Sequence, residues 1–172
     1  MVLCNVECLQ RISNYLDVSP GKLEISENNV VVASEAETNH AIKGFSTIIQ
    51  SLLSNSKYSD MLGADEETRA LSRQWLEYAV VCVNYANIPT NAKRVLKELN
   101  EALKSNTYIT GTQKTIADIA LYYALYSIMK ELTHQEQARY VHVSRWFDNI
   151  QQEQKLRQQL DLISFELLHL YL

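Results

Sequence analysis

The sequence predicts a mainly α protein, with a small α/β unit first and an all-α helical bundle after it. Three observations carry this. Glycine and proline are scarce, four and two among 172 residues, so natural breaks are few and helices are favoured. Strand character is confined to two short runs between Lys22 and Ala33. On either side of them, apolar residues recur every three or four positions, the mark of one-sided helices.

The elements follow in order. A first helix is expected over about residues 5–18, with Val6, Leu9, Ile12 and Leu16 on one face. Asp17-Val18-Ser19-Pro20-Gly21 ends it. Residues 22–26 and 29–33 read as strands joined through Ser26-Glu27-Asn28-Asn29, a hairpin turn. A second helix is expected over residues 38–54, carrying Ile42, Phe45, Ile49 and Leu52 on one stripe. The polar stretch after Ser54 is read as a linker. The expected division is therefore residues 1–56 as an α/β domain, 57–63 as linker and 64–172 as an all-α domain.

Beyond the linker, Asp65, Glu66 and Glu67 place negative charge where a helix dipole favours it. A long helix to about residue 87 follows, with Leu71, Trp75, Tyr78, Cys82 and Tyr85 read as its inner face. Another starts at Ile88-Pro89-Thr90 and carries Val95, Leu96, Leu99 and Leu103. Tyr108-Ile109-Thr110-Gly111 is a compact turn. Residues 115–132 are apolar nearly all round, which puts that helix in the middle of the bundle. Helices near residues 136–141 and from Ser144 come next, and residues 154–172 read as one amphipathic segment.

Composition excludes several functions. A net charge of −4 with scattered Lys and Arg argues against a nucleic-acid surface, which needs clustered cations. No apolar stretch approaches the roughly 20 residues that span a bilayer. The start of the chain lacks a basic, then apolar, leader pattern. Three cysteines, Cys4, Cys8 and Cys82, form no regular framework, which points to a reducing compartment. The expected location is the cytosol, with passage to the nucleus left open.

Thr115-Ile116-Ala117-Asp118 is the most telling local motif. Thr115 can cap the helix start, and Asp118 can reach back to the Thr115 N–H, a capping box with Asp in place of Glu. Gly111-x-x-x-Thr115-Ile116-Ala117-Asp118-Ile119-Ala120 resembles the N-capping motif in the helical domain of glutathione transferases. The hairpin and following helix resemble a shortened thioredoxin-like domain. A narrower set of blocks is similar to the elongation factor 1 epsilon family, small auxiliary factors of the multi-aminoacyl-tRNA-synthetase complex. They are Gln74-Trp75-Leu76-Glu77-Tyr78, Tyr108-Ile109-Thr110-Gly111, Asp118-Ile119-Ala120-Leu121-Tyr122-Tyr123 and the run from Tyr140 through Arg145-Trp146 to Phe147. The likeness is strongest over residues 62–150. Two departures matter. Lys114 replaces the apolar residue that precedes the capping threonine, and Asn29-Val30-Val31-Val32 lacks the proline that shapes the glutathione-binding loop.

The resemblance implies a fold built for thiol chemistry, yet the residues for it are missing. No strand ending in a Tyr, Ser or Cys precedes the first helix. The acidic-Ser pair that would hold a γ-glutamyl group falls at Gly44-Phe45-Ser46, where Phe cannot bind a carboxylate. No catalytic residue, cofactor or metal is expected. One rival is catalysis by Cys4, since a thiol at a helix N-terminus can be activated, although no basic residue lies near it in sequence. Cys4 and Cys8 at i, i+4 share a face, but two further metal ligands are wanting, because His40, His134, His142 and His169 are dispersed.

Two docking faces are implied instead. By resemblance, the first joins the helix after the hairpin to the first bundle helix, and meets the transferase-like domain of methionyl-tRNA synthetase. Ile48, Leu52, Arg69 and Arg73 are its candidates. The second uses the turn at Tyr108 and the helix from Ser144, and meets the transferase-like domain of glutamyl-prolyl-tRNA synthetase. There Arg145 would stand just past a Ser cap, where the dipole disfavours a cation, so an anion on the partner, or Asp148 at i, i+3, would balance it. The expectation is thus a non-catalytic scaffold in translation, with a nuclear DNA-damage role implied only by the family. The alternatives are an active thiol or glutathione transferase, and a homodimeric structural subunit among elongation factor 1 subunits.

Overall fold

The structure is a computed structural model that describes residues 6–28, 30–34, 41–86 and 88–165. The first helix, α1 (Val6–Leu16), buries Leu9, Ile12 and Leu16 as their spacing requires. Asp17 at φ 57° turns the chain out of it, and Val18 N–H returns to Ser13 O at 3.1 Å. Strands β1 (Lys22–Ile25), β2 (Val31–Ser34) and β3 (Ala41–Lys43) form one antiparallel sheet in that order. Leu23 pairs with Ala33, and Ala33 pairs with Ile42. Val31 and Ala33 turn inward, where the sheet is covered by α2 (Phe45–Ser54).

The third strand corrects the expectation of a helix over residues 38–54. Ile42 lies on β3, and the helix begins only at Phe45. Gly44 is the reason: its φ of 95° is open to glycine and costly for other residues. Its N–H donates to Val31 O at 2.9 Å, so the ladder continues up to the residue that starts the helix.

The expected linker contains a single 3-10 turn, Ser59–Leu62. Gly63 follows at φ 141°, and a Cβ there would stand 2.8 Å from Arg69 N, so only glycine fits. Asp65 then caps α3 (Glu66–Val81) by accepting the Thr68 N–H at 2.8 Å. The buried stripe of α3 is Ser72, Leu76 and Ala79, one residue round from the expected Leu71, Trp75 and Tyr78. Two of those three are small, which lets α3 lie close against α5 (Ile116–Glu131) while its larger residues stay half-exposed. Tyr85, also expected inside, is exposed in a 3-10 turn that follows α3.

Pro89 opens α4 (Pro89–Ala102) at a position where its missing N–H is no loss. Every residue of α5 from Ile116 to Leu125 is buried, so it is the central helix. It is surrounded by α1, α3 and α7 (Val141–Gln151), with α6 (His134–Arg139) leading into α7. Because α7 starts three residues before Ser144, that serine is not a cap; its Oγ donates to Gln137 O at 2.9 Å. The segment over residues 154–172, read as amphipathic, is described as far as Phe165. Among its described residues, α8 (Gln154–Arg157) is the helical part; Gln158 leaves it at φ 54°, and residues 159–165 are irregular. Residues 166–172 lie outside the described residues. The apolar core is continuous from α1 and the sheet through α5 to α7.

Candidate partner-binding surfaces

Asp118 organises the second of the two expected surfaces. Its Oδ1 accepts the Ile109 N–H at 2.8 Å and the Trp146 Nε1–H at 2.9 Å. Its Oδ2 accepts the Thr115 N–H at 2.8 Å and the Thr115 hydroxyl at 3.2 Å. One carboxylate thus fixes the start of α5, the 108–111 turn and α7. Burial pushes the Asp118 carboxyl up, and the hydrogen bonds from Ile109, Thr115 and Trp146 offset part of that rise. All four contacts are donors, which is the arrangement a carboxylate needs when buried. The turn itself is closed by Tyr108 N–H to Gly111 O at 2.8 Å and Gly111 N–H to Tyr108 O at 3.0 Å.

Arg145 projects from the second turn of α7, half-buried, and its Nη2 donates to Leu103 O and Asn106 O, both at 2.9 Å. Those carbonyls lie just past α4, where the helix dipole favours a cation. The premise of a cation stranded at a helix N-terminus is therefore wrong: Arg145 closes the C-terminal end of a neighbouring helix. Asp148 does not pair with it, accepting instead from Gln151 and Gln152. Arg145 and the turn at Tyr108 are brought together, since Asn106 leads directly into that turn. Sequence reasoning missed Asn100, whose Oδ1 accepts the His142 N–H at 2.9 Å and supports the start of α7.

At the first expected surface, Ile48 and Leu52 are 1% and 5% exposed, so they belong to the core and cannot dock a partner. The outer side of α2 is polar: Thr47 and Ser54 are exposed, Gln50 and Ser51 half-exposed. Arg73 Nε donates to Gln50 Oε1 at 3.2 Å and so joins this side to α3. Arg69 pairs with Glu66 on its own helix at 2.7 Å. The polar residues between the apolar positions of α2 were the signal that would have pointed to Gln50.

Phe45 is buried, and the Ser46 hydroxyl donates to the Glu77 carboxylate. Cys4, and with it the Cys4–Cys8 pair, lies outside the described residues. Lys114 does more than fill the place of an apolar residue. Its Nζ pairs with Glu153, whose other oxygen accepts the Tyr15 hydroxyl at 3.0 Å, tying α1 to the bundle.

Residues 68–154 match the family model Arc1p_N_like, described as nuclear-export cofactor Arc1p. The chain is 33% identical over 158 residues to eukaryotic translation elongation factor 1 epsilon-1 of Mus musculus, covering 91% of each. The chain belongs to the elongation factor 1 epsilon family. The Homo sapiens factor of that name is 38% identical over 125 residues, 73% of this chain and 72% of the relative. The bifunctional glutamate/proline–tRNA ligase of Mus musculus is 26% identical over 136 residues, 78% of this chain and 9% of that enzyme. Among solved structures, a glutathione S-transferase from Pichia kudriavzevii aligns with a TM-score of 0.71 at 15% identity, covering 89% of each chain. The transferase-like domain of elongation factor 1-gamma from Saccharomyces cerevisiae aligns with a TM-score of 0.65 at 14% identity, over 92% of this chain and 89% of that one. The fold of this elongation factor 1 epsilon family member is that of the glutathione transferases, with a reduced thioredoxin-like unit before the helical bundle.

Proposed function

We propose that this chain, an auxiliary factor of translation by its family, is a non-catalytic adaptor that bridges transferase-like domains of aminoacyl-tRNA synthetases. The observation that carries this reading is the start of α2. A glutathione-binding transferase would hold a γ-glutamyl carboxylate there. Here Phe45 faces the core, and the Ser46 hydroxyl is taken by Glu77. A second carboxylate brought to Ser46 would meet the Glu77 charge and be repelled. What remains of the fold is its shape, with polar helix faces available to like domains.

In this reading the outer side of α2, with Arg69 and Arg73 of α3, meets the transferase-like domain of methionyl-tRNA synthetase. The turn at Tyr108 and α7 meet that of glutamyl-prolyl-tRNA synthetase. Two separate faces make a bridge. The adaptor works in the cytoplasm and enters the nucleus by the same reading.

Affinity purification from cell extract, with mass spectrometry of the bound proteins, tests this. Both synthetases are expected with the unaltered chain. Recovery of neither, or glutathione-dependent turnover of a chlorinated aromatic substrate by the pure chain, would overturn it. Sedimentation with and without the methionyl-synthetase domain separates a heterodimer from a plain homodimer.

A further inference from the structure

A groove of about 350 Å³ runs between α4, α5 and α6 and shares no named residue with either face discussed above. Ala92 and Leu96 of α4 line one side, Ile128 and Leu132 of α5 another, each pair one helical turn apart. Ala92, Ile128 and Leu132 are half-exposed, apolar surface that is more stable covered. Further apolar surface adjoins it. Ala86 and Pro89 line the groove, and their chain neighbours Tyr85 and Ile88 are 58% and 51% exposed. Val81, at the end of α3, is 64% exposed. Clustered exposed apolar side chains mark a docking surface, where scattered ones do not.

Charge narrows the occupant. The groove is lined by one cation, Lys93, and two carboxylates, Glu131 and Glu136. Glu136 is already engaged. It accepts the Thr133 N–H at 3.0 Å and the Thr133 hydroxyl at 2.9 Å, and both Lys93 and Arg139 act on its charge. Glu131 forms no ion pair among the described residues, and its neighbour Lys130 is paired with Asp161 at 3.3 Å. Glu131 is also the last residue of α5, where the helix dipole adds negative potential. The unbalanced charge is therefore negative and favours a cation on the occupant. A second copy of this chain, with a net charge of −4, fits that less well than a basic partner.

Rows of apolar side chains spaced by one turn receive the i, i+3, i+4 and i+7 side chains of an amphipathic helix. We propose that the α4–α5–α6 groove docks an amphipathic helix of a partner protein, with its apolar side chains between the two rows and a Lys or Arg facing Glu131. This third surface goes beyond the synthetase reading and does not depend on it.

The test titrates the full chain, with labelled methyl groups, against two synthetic helical peptides. Both carry leucines at i, i+3, i+4 and i+7. One has lysines on its flanks, and the other has glutamates at the same positions. The lysine peptide is expected to shift the Ile128 and Leu132 methyl signals and leave those of the buried Leu9 in place. It should bind about ten times more tightly than the glutamate peptide. Glu131→Lys, at an exposed site, is expected to abolish that preference. A lysine peptide that binds elsewhere or not at all, equal binding of the two peptides, or a preference that survives Glu131→Lys would overturn the proposal. Shifts of the Ile128 and Leu132 signals that grow with the concentration of the chain alone would overturn it too, by giving the groove to a second copy.

Discussion

The indole Nε1–H of Trp146 and the backbone N–H of Ile109 converge on one oxygen of Asp118, at 2.9 and 2.8 Å. Asp118 lies at the start of the central helix and is fully buried. Replacing it with Ala would leave both donors, and the Thr115 N–H, without that acceptor in a buried site. Asp118→Ala is expected to lower unfolding free energy by about 3–5 kcal/mol. Urea denaturation measures it. A loss below about 1 kcal/mol would mean that the three donors find other partners.

Ile48 and Leu52 were expected at a docking face and sit in the core instead. Leu52→Ala should therefore cost about 2–4 kcal/mol of stability, while the folded fraction keeps its partner binding. Arg73→Ala should do the reverse. It removes one exposed bond to Gln50, worth within about 0.5 kcal/mol, and on the proposed reading weakens capture of the methionyl-synthetase domain. Melting curves paired with pull-downs separate the two; a stability loss for Arg73→Ala equal to that of Leu52→Ala would contradict the assignment.

Much of the fold was legible because local chemistry and tertiary context agree. Leu9, Ile12 and Leu16 repeat at helical spacing and are buried as read. Thr115 and Asp118 announce a helix start, and the chain forms one there. Reading failed where a single backbone position decides. The run from Thr38 onward is apolar enough for a helix, but Gly44 at φ 95° lets residues 41–43 pair as a strand first. On α3 the large residues suggested a face one residue round from the buried stripe: Trp75 and Tyr78 pack against the edge of the core, while close packing against α5 selects Ser72 and Ala79 for their small size. Arg145 could not be placed from sequence, because its two acceptors lie some forty positions away.

The junction between α1 and α8 should respond to acid. Lys155 Nζ donates to Asp17 Oδ2 at 2.7 Å, and Lys57 pairs with the same oxygen at 3.0 Å. Hydrogen bonding by Lys155, then by Lys57, holds the Asp17 carboxyl below the usual carboxylate range. The folded value is depressed relative to the unfolded one. The contribution to stability is thus present above the unfolded value and lost as pH falls through the folded one. Carboxyl carbon shifts followed by NMR should show Asp17 titrating low, and Lys155→Gln should move it back up. An ordinary titration in the unaltered chain would show that the lysines are dispersed in solution.

Arg145 has one task within the chain and a second that is only proposed, and two substitutions pull them apart. Within the chain, its guanidinium holds Leu103 O and Asn106 O, and through Asn106 it steadies the approach to the 108–111 turn. Bonds from a charged donor to neutral acceptors are worth about 1.5–3 kcal/mol each at most, and half-burial reduces that. Arg145→Ala should lower stability by about 1–2 kcal/mol on the same scale. Arg145→Lys keeps the charge beside the α4 terminus but gives up the planar guanidinium fork. It should restore part of the stability. If Arg145 also contacts the glutamyl-prolyl synthetase domain, both variants will lose capture of that domain well below their melting temperatures, while methionyl-synthetase capture persists. If its role is only to close α4, capture will follow stability, and Arg145→Lys will recover both together.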